Sequence, residues 1–175
     1  ELKKLFIPFA KNELIHQTSF KKVNESLPLL KEYNVQVNPR EINLFYIQDN
    51  LRERIIFENG NFKINNTLLS FSESEILTEL EKNPENFSPN VILRPLYQEI
   101  ILPNLCYIGG GGELAYWLEL KSNFEANKIT FPSLLLRNSV LVATKKQVKK
   151  MERLNLNLAD VFQNQQVLIN EKTKA

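Results

Sequence analysis

Apolar side chains at the start of the chain recur at the spacing of an α-helix. The pattern runs from Glu1 to Gln17 and again from Phe20 to Tyr33, with apolar positions at Leu2, Leu5, Phe6, Phe9, Val23, Leu27 and Leu30. Residues three and four apart share one face of a helix. The two stretches therefore predict two amphipathic helices.

From Glu41 onward the pattern changes to short apolar runs that are typical of strands. Residues 42–47 and 54–57 are rich in Ile, Leu, Phe and Tyr, and Asn59-Gly60 follows the second run. Asn-Gly is a strong signal for a tight hairpin, so we expect a small antiparallel sheet here. Ser72 and Glu75 then form a capping box that predicts a helix to about Lys82.

The middle of the chain alternates strand and helix. Pro84 and Pro89 mark a loop, a helical turn covers residues 94–101, and the apolar run Leu105–Ile108 predicts a strand. A helix to about Ala126 and a second, buried strand at Ser133–Leu136 follow. This order predicts a parallel βαβ unit.

Four of the five glycines stand in one run, Gly109-Gly110-Gly111-Gly112, between the first of these strands and its helix. Such a run suits backbone with positive φ or the close approach of a ligand, and the alternative is a flexible turn. Parallel strands end at the same edge of a sheet, so Arg137, Asn138 and Ser139 should face the same crevice as the glycines.

The helix start beside this crevice would favour a carboxylate or phosphate, which Arg137 could bind with two hydrogen bonds. Glu113, in the first helical turn, would repel an anion and suits an ammonium or hydroxyl group better. The alternatives are that Arg137 is a surface residue at the strand end and that Glu113 only stabilises the helix. Among the neighbouring apolar residues, Leu114, Trp117 and Leu118 should pack on the sheet.

The composition of the chain limits the classes of function that it can have. The 175 residues carry 22 basic and 20 acidic side chains, a net charge of +2 that favours neither nucleic acid nor an anionic membrane as a partner. One histidine and one cysteine argue against a metal site, and Cys106 is expected to be a buried, inert thiol in a reducing compartment. No apolar run is long enough to span a membrane, so we expect a cytoplasmic protein.

The remaining motifs are weak or absent. Gly110, Gly112 and Ala115 fit the G-x-G-x-x-A dinucleotide form, but no acidic residue follows the second strand. A Walker A loop and a G-x-S-x-G elbow are missing. The lysine-rich segment 145–154 is expected to be a solvated helix face, and the tail after Phe162 to be frayed or a junction.

The longest distinctive stretch resembles a known family. Its residues are Ser88-Pro89-Asn90-Val91-Ile92-Leu93-Arg94-Pro95-Leu96-Tyr97-Gln98-Glu99, Leu102-Pro103, Tyr107-Ile108-Gly109-Gly110, Gly112-Glu113-Leu114-Ala115-Tyr116-Trp117, Leu120-Lys121 and Arg137-Asn138-Ser139. This set resembles the bacillithiol biosynthesis cysteine-adding enzymes, most strongly from Phe87 to Ser139. Gly111 departs from the family, which usually has proline there, and the change puts the rigidity of the loop in doubt.

The resemblance implies an α/β fold with a Rossmann-like core, to which the small antiparallel hairpin and flanking helices are added. It implies a ligase that joins the carboxyl of cysteine to the amine of glucosaminyl malate. Family members are much longer and carry a coiled coil, which is a possible site of oligomerisation. The chain, which opens with Glu1 and not methionine, is thus expected to be a central fragment that is inactive alone and whose partner is the rest of the enzyme.

The expected division is helices and a small sheet in 1–86, the βαβ core in 87–163 and a tail in 164–175. The candidate substrate-binding residues are Gly109, Gly110, Gly111, Gly112, Glu113, Arg137, Asn138, Ser139, Arg94 and Gln98. For Arg94 and Gln98 the alternative is a structural bracket. Catalytic residues, and whether ATP activates the carboxyl, do not follow from the sequence.

Two other function classes stay open on these residues. The chain could be a non-catalytic module that binds a nucleotide or an amino sugar, or a structural piece of a larger enzyme. Binding of cysteine, glucosaminyl malate, ATP or NAD would distinguish the three classes, because only a ligand that binds the native state raises the unfolding midpoint.

Overall fold

The computed structural model describes residues 1–31 and 34–173. They form two compact units, residues 1–137 and 138–175. The helices of the first unit are α1 (Leu2–His16), α2 (Thr18–Ser26), α3 (Glu73–Lys82), α4 (Arg94–Ile101), α5 (Gly111–Glu119) and α6 (Lys121–Ala126). Its strands are β1 (Leu44–Gln48), β2 (Leu51–Glu58), β3 (Asn61–Ile64), β4 (Ser70–Phe71), β5 (Phe87–Pro89), β6 (Cys106–Gly109) and β7 (Ser133–Leu136). The predicted α/β class is confirmed.

The first two predicted helices are present, but the second is shorter than expected. Gln17 has a left-handed φ of 52° and separates α1 from α2. The α-helix ends at Ser26, and a 3₁₀ turn covers Leu27–Leu30. Pro28 explains this end, because proline has no N–H to donate to the carbonyl four residues earlier. Tyr33, the predicted helix end, lies outside the described residues.

The predicted antiparallel sheet has five strands in the order β4-β3-β2-β1-β5. Asn59 and Gly60 make the β2–β3 hairpin with positive φ values of 53° and 79°, as their sequence predicts. The loop expected between Pro84 and Pro89 was wrong in part, since it contains a 3₁₀ turn (Pro84–Asn86) and edge strand β5. The buried Phe87 ring packs edge-on against Tyr46, which holds β5 beside β1.

A buried carboxylate ties the N-terminal helices to this sheet. Glu13 at the end of α1 is 1% exposed and accepts hydrogen bonds from the backbone N–H and hydroxyl of Ser19 at 2.9 and 2.5 Å. It also accepts from the backbone and side-chain nitrogens of Asn43, both at 3.0 Å. A buried polar group needs such partners, so Glu13 fixes the path from α1 through α2 to the start of β1.

The strands β6 and β7 are parallel neighbours joined through α5 and α6, so the predicted βαβ unit is confirmed. Trp117 of α5 is fully buried and stacks on Tyr107 of β6, with ring centroids 4.2 Å apart. Phe124 and Phe131 also pack against this tryptophan, with ring centroids 5.8 and 5.9 Å from its own.

Both strands of this two-stranded sheet carry exposed side chains, and three predictions of burial in this region were wrong. Strand β7 is not buried, since Leu135 and Leu136 are largely exposed. Cys106 is likewise an exposed thiol and not a buried one. Leu118 of α5 is 36% exposed, whereas Trp117 is fully buried as expected. An apolar run predicts a strand but does not tell whether both of its faces are covered.

The second unit contains α7 (Lys145–Arg153), a 3₁₀ turn (Ala159–Phe162) and α8 (Gln165–Thr173). Thr144 and Gln147 cap α7 reciprocally, and its lysines are solvent-exposed. The tail expected to be frayed is helical over Gln165–Thr173, which corrects that prediction. Among the residues described, no helix is both long and apolar enough to cross a bilayer.

Candidate functional site

The glycine run forms the junction between β6 and α5. Gly109 ends the strand, Gly110 has extended backbone (φ −73°, ψ 165°), and α5 begins at Gly111. The expectation of positive φ was wrong, because Gly60 of the hairpin is the only described glycine in the left-handed region. The four positions therefore lack side chains either because packing leaves no room for one or because a ligand approaches the backbone there.

Packing forbids a side chain at Gly109. A Cβ atom there would stand 2.8 Å from Cε1 of Tyr107 and 3.2 Å from Cδ2 of Leu114. The Tyr107 ring cannot move away easily, because it is stacked on Trp117. Gly111 differs, since a Cβ there would meet no atom within 4 Å.

Arg137 lies directly against Gly110. A Cβ on Gly110 would stand 3.1 Å from Nη2 of Arg137 and 3.3 Å from both Cζ and Nε. The backbone N–H of Arg137 donates to the carbonyl of Gly109 at 2.9 Å, which extends the β6–β7 pairing by one residue. Glycine at position 110 thus leaves room for a guanidinium group at the strand ends.

Glu113, in the first turn of α5, caps the N-terminus of that helix. Its Oε2 accepts a hydrogen bond from the backbone N–H of Gly110 at 2.8 Å, and its Oε1 accepts one from the Tyr107 hydroxyl at 3.3 Å. The bond from Gly110 lowers the pKa of Glu113, and the positive charges of Arg137 and Arg94 act in the same direction. The carboxyl is therefore ionised at neutral pH and has a structural role in the loop.

Arg94 and Gln98 of α4 reach the same region. Arg94 donates from Nη1 to Oε1 of Gln98 at 3.0 Å and from Nη2 to the hydroxyl of Tyr116 on α5 at 2.8 Å. Within residues 1–31 and 34–173, neither Arg94 nor Arg137 has a carboxylate oxygen within 4.0 Å. These hydrogen bonds connect α4 to α5 through neutral oxygens and do not pair Arg94 with a carboxylate, and the role of Arg94 and Gln98 in a site stays a prediction.

The glycine run therefore lies near two guanidinium groups, those of Arg94 and Arg137, and near one carboxylate, that of Glu113, which caps the helix. Leu114 is the first residue of α5 to donate to a helical carbonyl, that of Gly110. The N–H groups of Gly111 and Gly112 precede it, so helix hydrogen bonding does not use them. A surface with these donors and a net positive charge suits a ligand that carries carboxylates.

Asn138 and Ser139 follow Arg137 as exposed residues without helix or strand structure, and they belong to the unit 138–175. Their place in the site stays a prediction. In the part of the chain that the structure describes, no group of three or more His, Cys, Asp or Glu side chains is arranged to hold a metal ion.

The sequence did not reveal Gln36 as a neighbour of the loop. Its Oε1 is 3.7 Å from the position that a Cβ on Gly112 would take. Glu119 of α5, which is 2% exposed, holds this segment by accepting a hydrogen bond from the backbone N–H of Gln36 at 2.7 Å. The two residues are 83 positions apart, and no local pattern could have indicated their contact.

Glu119 is an incompletely satisfied buried carboxyl. Burial raises its pKa, although the nearby backbone N–H groups of Gln36 and Val37 oppose that shift. Its second oxygen, Oε2, has no hydrogen-bond partner among the described residues. Such a group stabilises the fold less once it is ionised.

Comparison with known proteins assigns the family. Residues 1–138 match the sequence model described as "Bacillithiol biosynthesis BshC, N-terminal Rossmann-like domain". The chain belongs to the BshC family.

Relatives across the BshC family align with nearly the whole chain. A protein of Flavobacterium johnsoniae is 67% identical over 173 residues, which cover 99% of this chain and 33% of the relative. Proteins of Cytophaga hutchinsonii and Bacillus cereus are 43% and 34% identical and cover 92% and 94% of the chain, in each case over 31% of the relative. All three are named "Putative cysteine ligase BshC". The chain thus spans about a third of the length of these relatives.

Replacement of Gly109 by alanine should destabilise this BshC-family chain, whereas Gly111→Ala should not. The new Cβ at position 109 would overlap the Tyr107 ring, and forced repacking of this kind costs about 1–3 kcal/mol of unfolding free energy. At position 111 the change should stay within about 0.5 kcal/mol. Urea unfolding measures both, and equal stability of the two variants would contradict the steric explanation.

Glu119→Gln should change the pH dependence of stability. In the folded chain the pKa of Glu119 is raised above its ordinary value of 4.5. At pH values between the unfolded and the folded pKa, the folded carboxyl keeps its proton while the unfolded one has lost it. The wild type therefore loses stability as the pH rises through this range. Glutamine removes this loss. The variant should therefore gain in unfolding free energy relative to wild type between pH 4.5 and neutral pH, as urea unfolding at each pH would show.

The exposed Glu125 of α6 offers a matched control. Glu125→Gln should leave the pH dependence of the unfolding free energy unchanged. If the difference in unfolding free energy between wild type and Glu119→Gln does not vary with pH, Glu119 is not the source of the pH dependence.

Proposed function

We propose that this chain supplies one wall of the active site of a longer cytoplasmic ligase that joins the carboxyl of cysteine to the amine of glucosaminyl malate. The family assignment and the names of the relatives support this function. The observation that carries it is the arrangement of Arg137 on Gly110, with Arg94 nearby and neither guanidinium paired with a carboxylate in the described part of the chain.

The chemistry of the two substrates fits this surface. Malate contributes carboxylates, and cysteine contributes a carboxylate and an ammonium group. In the proposed complex Arg137 binds a substrate carboxylate with two parallel hydrogen bonds, and the N–H groups of Gly111 and Gly112 bind a second acceptor. The open space over Gly111 leaves room for such an approach.

Glu113 and the tyrosines have supporting roles in this proposal. Glu113 is committed to Gly110 and Tyr107, so it holds the loop in shape and contributes negative charge toward an ammonium group. Arg94 and Gln98 form the side of the site, with Tyr116 fixing the direction of the guanidinium. Positioning of both reactants is a large part of catalysis when two molecules must react.

Ligand-dependent thermal unfolding of the longer protein tests this function. Cysteine or glucosaminyl malate should raise the midpoint, because a ligand at 100 times its Kd stabilises the native state by about 2.7 kcal/mol. A rise with NAD alone would contradict the ligase function and favour a dinucleotide-binding module. No rise with any of cysteine, glucosaminyl malate, ATP and NAD would favour a structural role. The isolated 175-residue chain should form no product, as thiol-specific mass spectrometry can verify.

Arg137→Lys in the longer protein should lower kcat/KM roughly tenfold to hundredfold. Lysine keeps the charge but loses the planar fork, and one hydrogen bond to a charged group is worth about 1.5–3 kcal/mol. Steady-state kinetics with both substrates measures the effect, and circular dichroism verifies the fold.

Arg52→Lys is the matched control, since Arg52 lies over the ring of Phe45 on the antiparallel sheet, away from the glycine run. It should leave kcat/KM unchanged. If Arg137→Lys changes kcat/KM less than about threefold, Arg137 is a surface residue and not a substrate ligand.

A further inference from the structure

We propose that Gln36 is a specificity-determining residue of the candidate site, where its side-chain Oε1 accepts a hydrogen bond from a hydroxyl group of a sugar substrate. The buried Glu119 is the positioning residue that holds Gln36 beside the glycine run. This inference rests on the proposed function, because it names the part of the substrate that lies over Gly112.

A hydrogen bond fixes which end of the Gln36 amide faces the glycine run. Its Nε2 donates to the backbone carbonyl of Asn34 at 2.9 Å, and a carbonyl oxygen can only accept, so Oε1 cannot take the place of Nε2 there. Oε1 is then the atom that lies 3.7 Å from the position of a Cβ on Gly112. Within residues 1–31 and 34–173, no donor is bonded to this oxygen. Gln36 thus presents a free acceptor at the first turn of α5.

The chemistry of this position selects a hydroxyl group. The N–H of Gly112 precedes the first helical hydrogen bond of α5 and is a donor, whereas the neighbouring Oε1 of Gln36 is an acceptor. A carboxylate only accepts and an ammonium group only donates, but a hydroxyl group does both at once. Cysteine has no hydroxyl group, whereas the sugar ring of glucosaminyl malate carries several. The sugar is therefore the part of the substrate that fits here.

Glu119 explains how an irregular segment keeps Gln36 in place. Residues 34–40 have neither helix nor strand structure, so no regular backbone pairing fixes them. Glu119 accepts from the backbone N–H of Gln36 at 2.7 Å, although its own burial is costly because Oε2 has no partner in the described part of the chain. A buried polar group that is not fully satisfied requires an explanation. Holding Gln36 against α5 supplies one.

Sugar analogues that each lack one hydroxyl group test the contact in the longer protein. Wild type should use one of these monodeoxy analogues about three- to tenfold less efficiently than glucosaminyl malate, judged by kcat/KM, as expected for one lost hydrogen bond. Gln36→Met keeps the side-chain length without the carbonyl oxygen, and it should not discriminate against that analogue. Equal discrimination by wild type and Gln36→Met against every analogue would overturn the inference.

The same assay separates this inference from the proposed function. If wild type forms no product from cysteine and glucosaminyl malate, the ligase function itself is wrong. If wild type forms product but Gln36→Met discriminates as wild type does, only the role of Gln36 is wrong. Gln48→Met is the matched control, because Gln48 is an exposed residue at the end of β1 that donates to the Tyr46 hydroxyl. It should discriminate between the analogues as wild type does.

A double-mutant cycle tests the positioning role of Glu119. Glu119→Leu fills the buried volume but removes the acceptor, and it should raise the KM for glucosaminyl malate about three- to tenfold while the KM for cysteine stays unchanged. Glu119→Gln keeps an acceptor oxygen and should keep the wild-type KM. In the Gln36→Met background, Glu119→Leu should add nothing, because both changes remove the same contact. A full additional increase in that background would show that Glu119 does not act through Gln36.

Discussion

The stack of Tyr107 on Trp117 connects the fold of this chain to its candidate site. It fixes α5 on β6 at a ring separation of 4.2 Å, and Phe124 and Phe131 pack around the same tryptophan. The Tyr107 ring also occupies the space that a side chain at Gly109 would need. Because the strand must turn into the helix beside this ring, the aromatic packing sets where the glycine run lies.

The packing of Tyr107 and Trp117 also affects the rest of the glycine run. With Gly109 and Gly110 bare, the strand ends leave room for the Arg137 guanidinium, and the Tyr107 hydroxyl reaches Glu113. Glu113 in turn accepts a hydrogen bond from the backbone N–H of Gly110, so its carboxylate connects the start of α5 both to Gly110 and to Tyr107. The positions of the run thus differ: packing against the Tyr107 ring excludes a side chain at Gly109, Gly110 lies against the Arg137 guanidinium, and Gly111 faces open space.

Local patterns predicted much of this fold. Asn59-Gly60, the Ser72–Glu75 capping box and the strand–helix–strand order each depend on residues that are close in sequence, and the structure contains all three. The exposure of Cys106 could not be predicted, because an apolar run does not tell whether both faces of its sheet are covered. Strand β5 was not predicted because it is short and ends at Pro89, and it forms by antiparallel pairing with β1 and by packing of Phe87 against Tyr46.

The candidate site was only partly predictable for a related reason. Parallel strands placed Arg137 beside the glycine run, and the structure has it there. Tyr116 and Gln36 enter through contacts made by distant residues, as the hydrogen bond from Arg94 and the bond between Gln36 and Glu119 illustrate. These contacts follow from the packing of α4, α5 and the segment before β1, which no single stretch of sequence encodes.

The central claim is that a carboxylate-bearing substrate binds at the helix start formed by the glycine run. Glycine-selective ¹⁵N labelling of the longer protein, followed by titration with glucosaminyl malate, tests it most directly. We expect the amide signals of Gly111 and Gly112 to shift with saturating dependence, while Gly60 in the β2–β3 hairpin stays unchanged. Unshifted Gly111 and Gly112 signals at saturating substrate would contradict the claim.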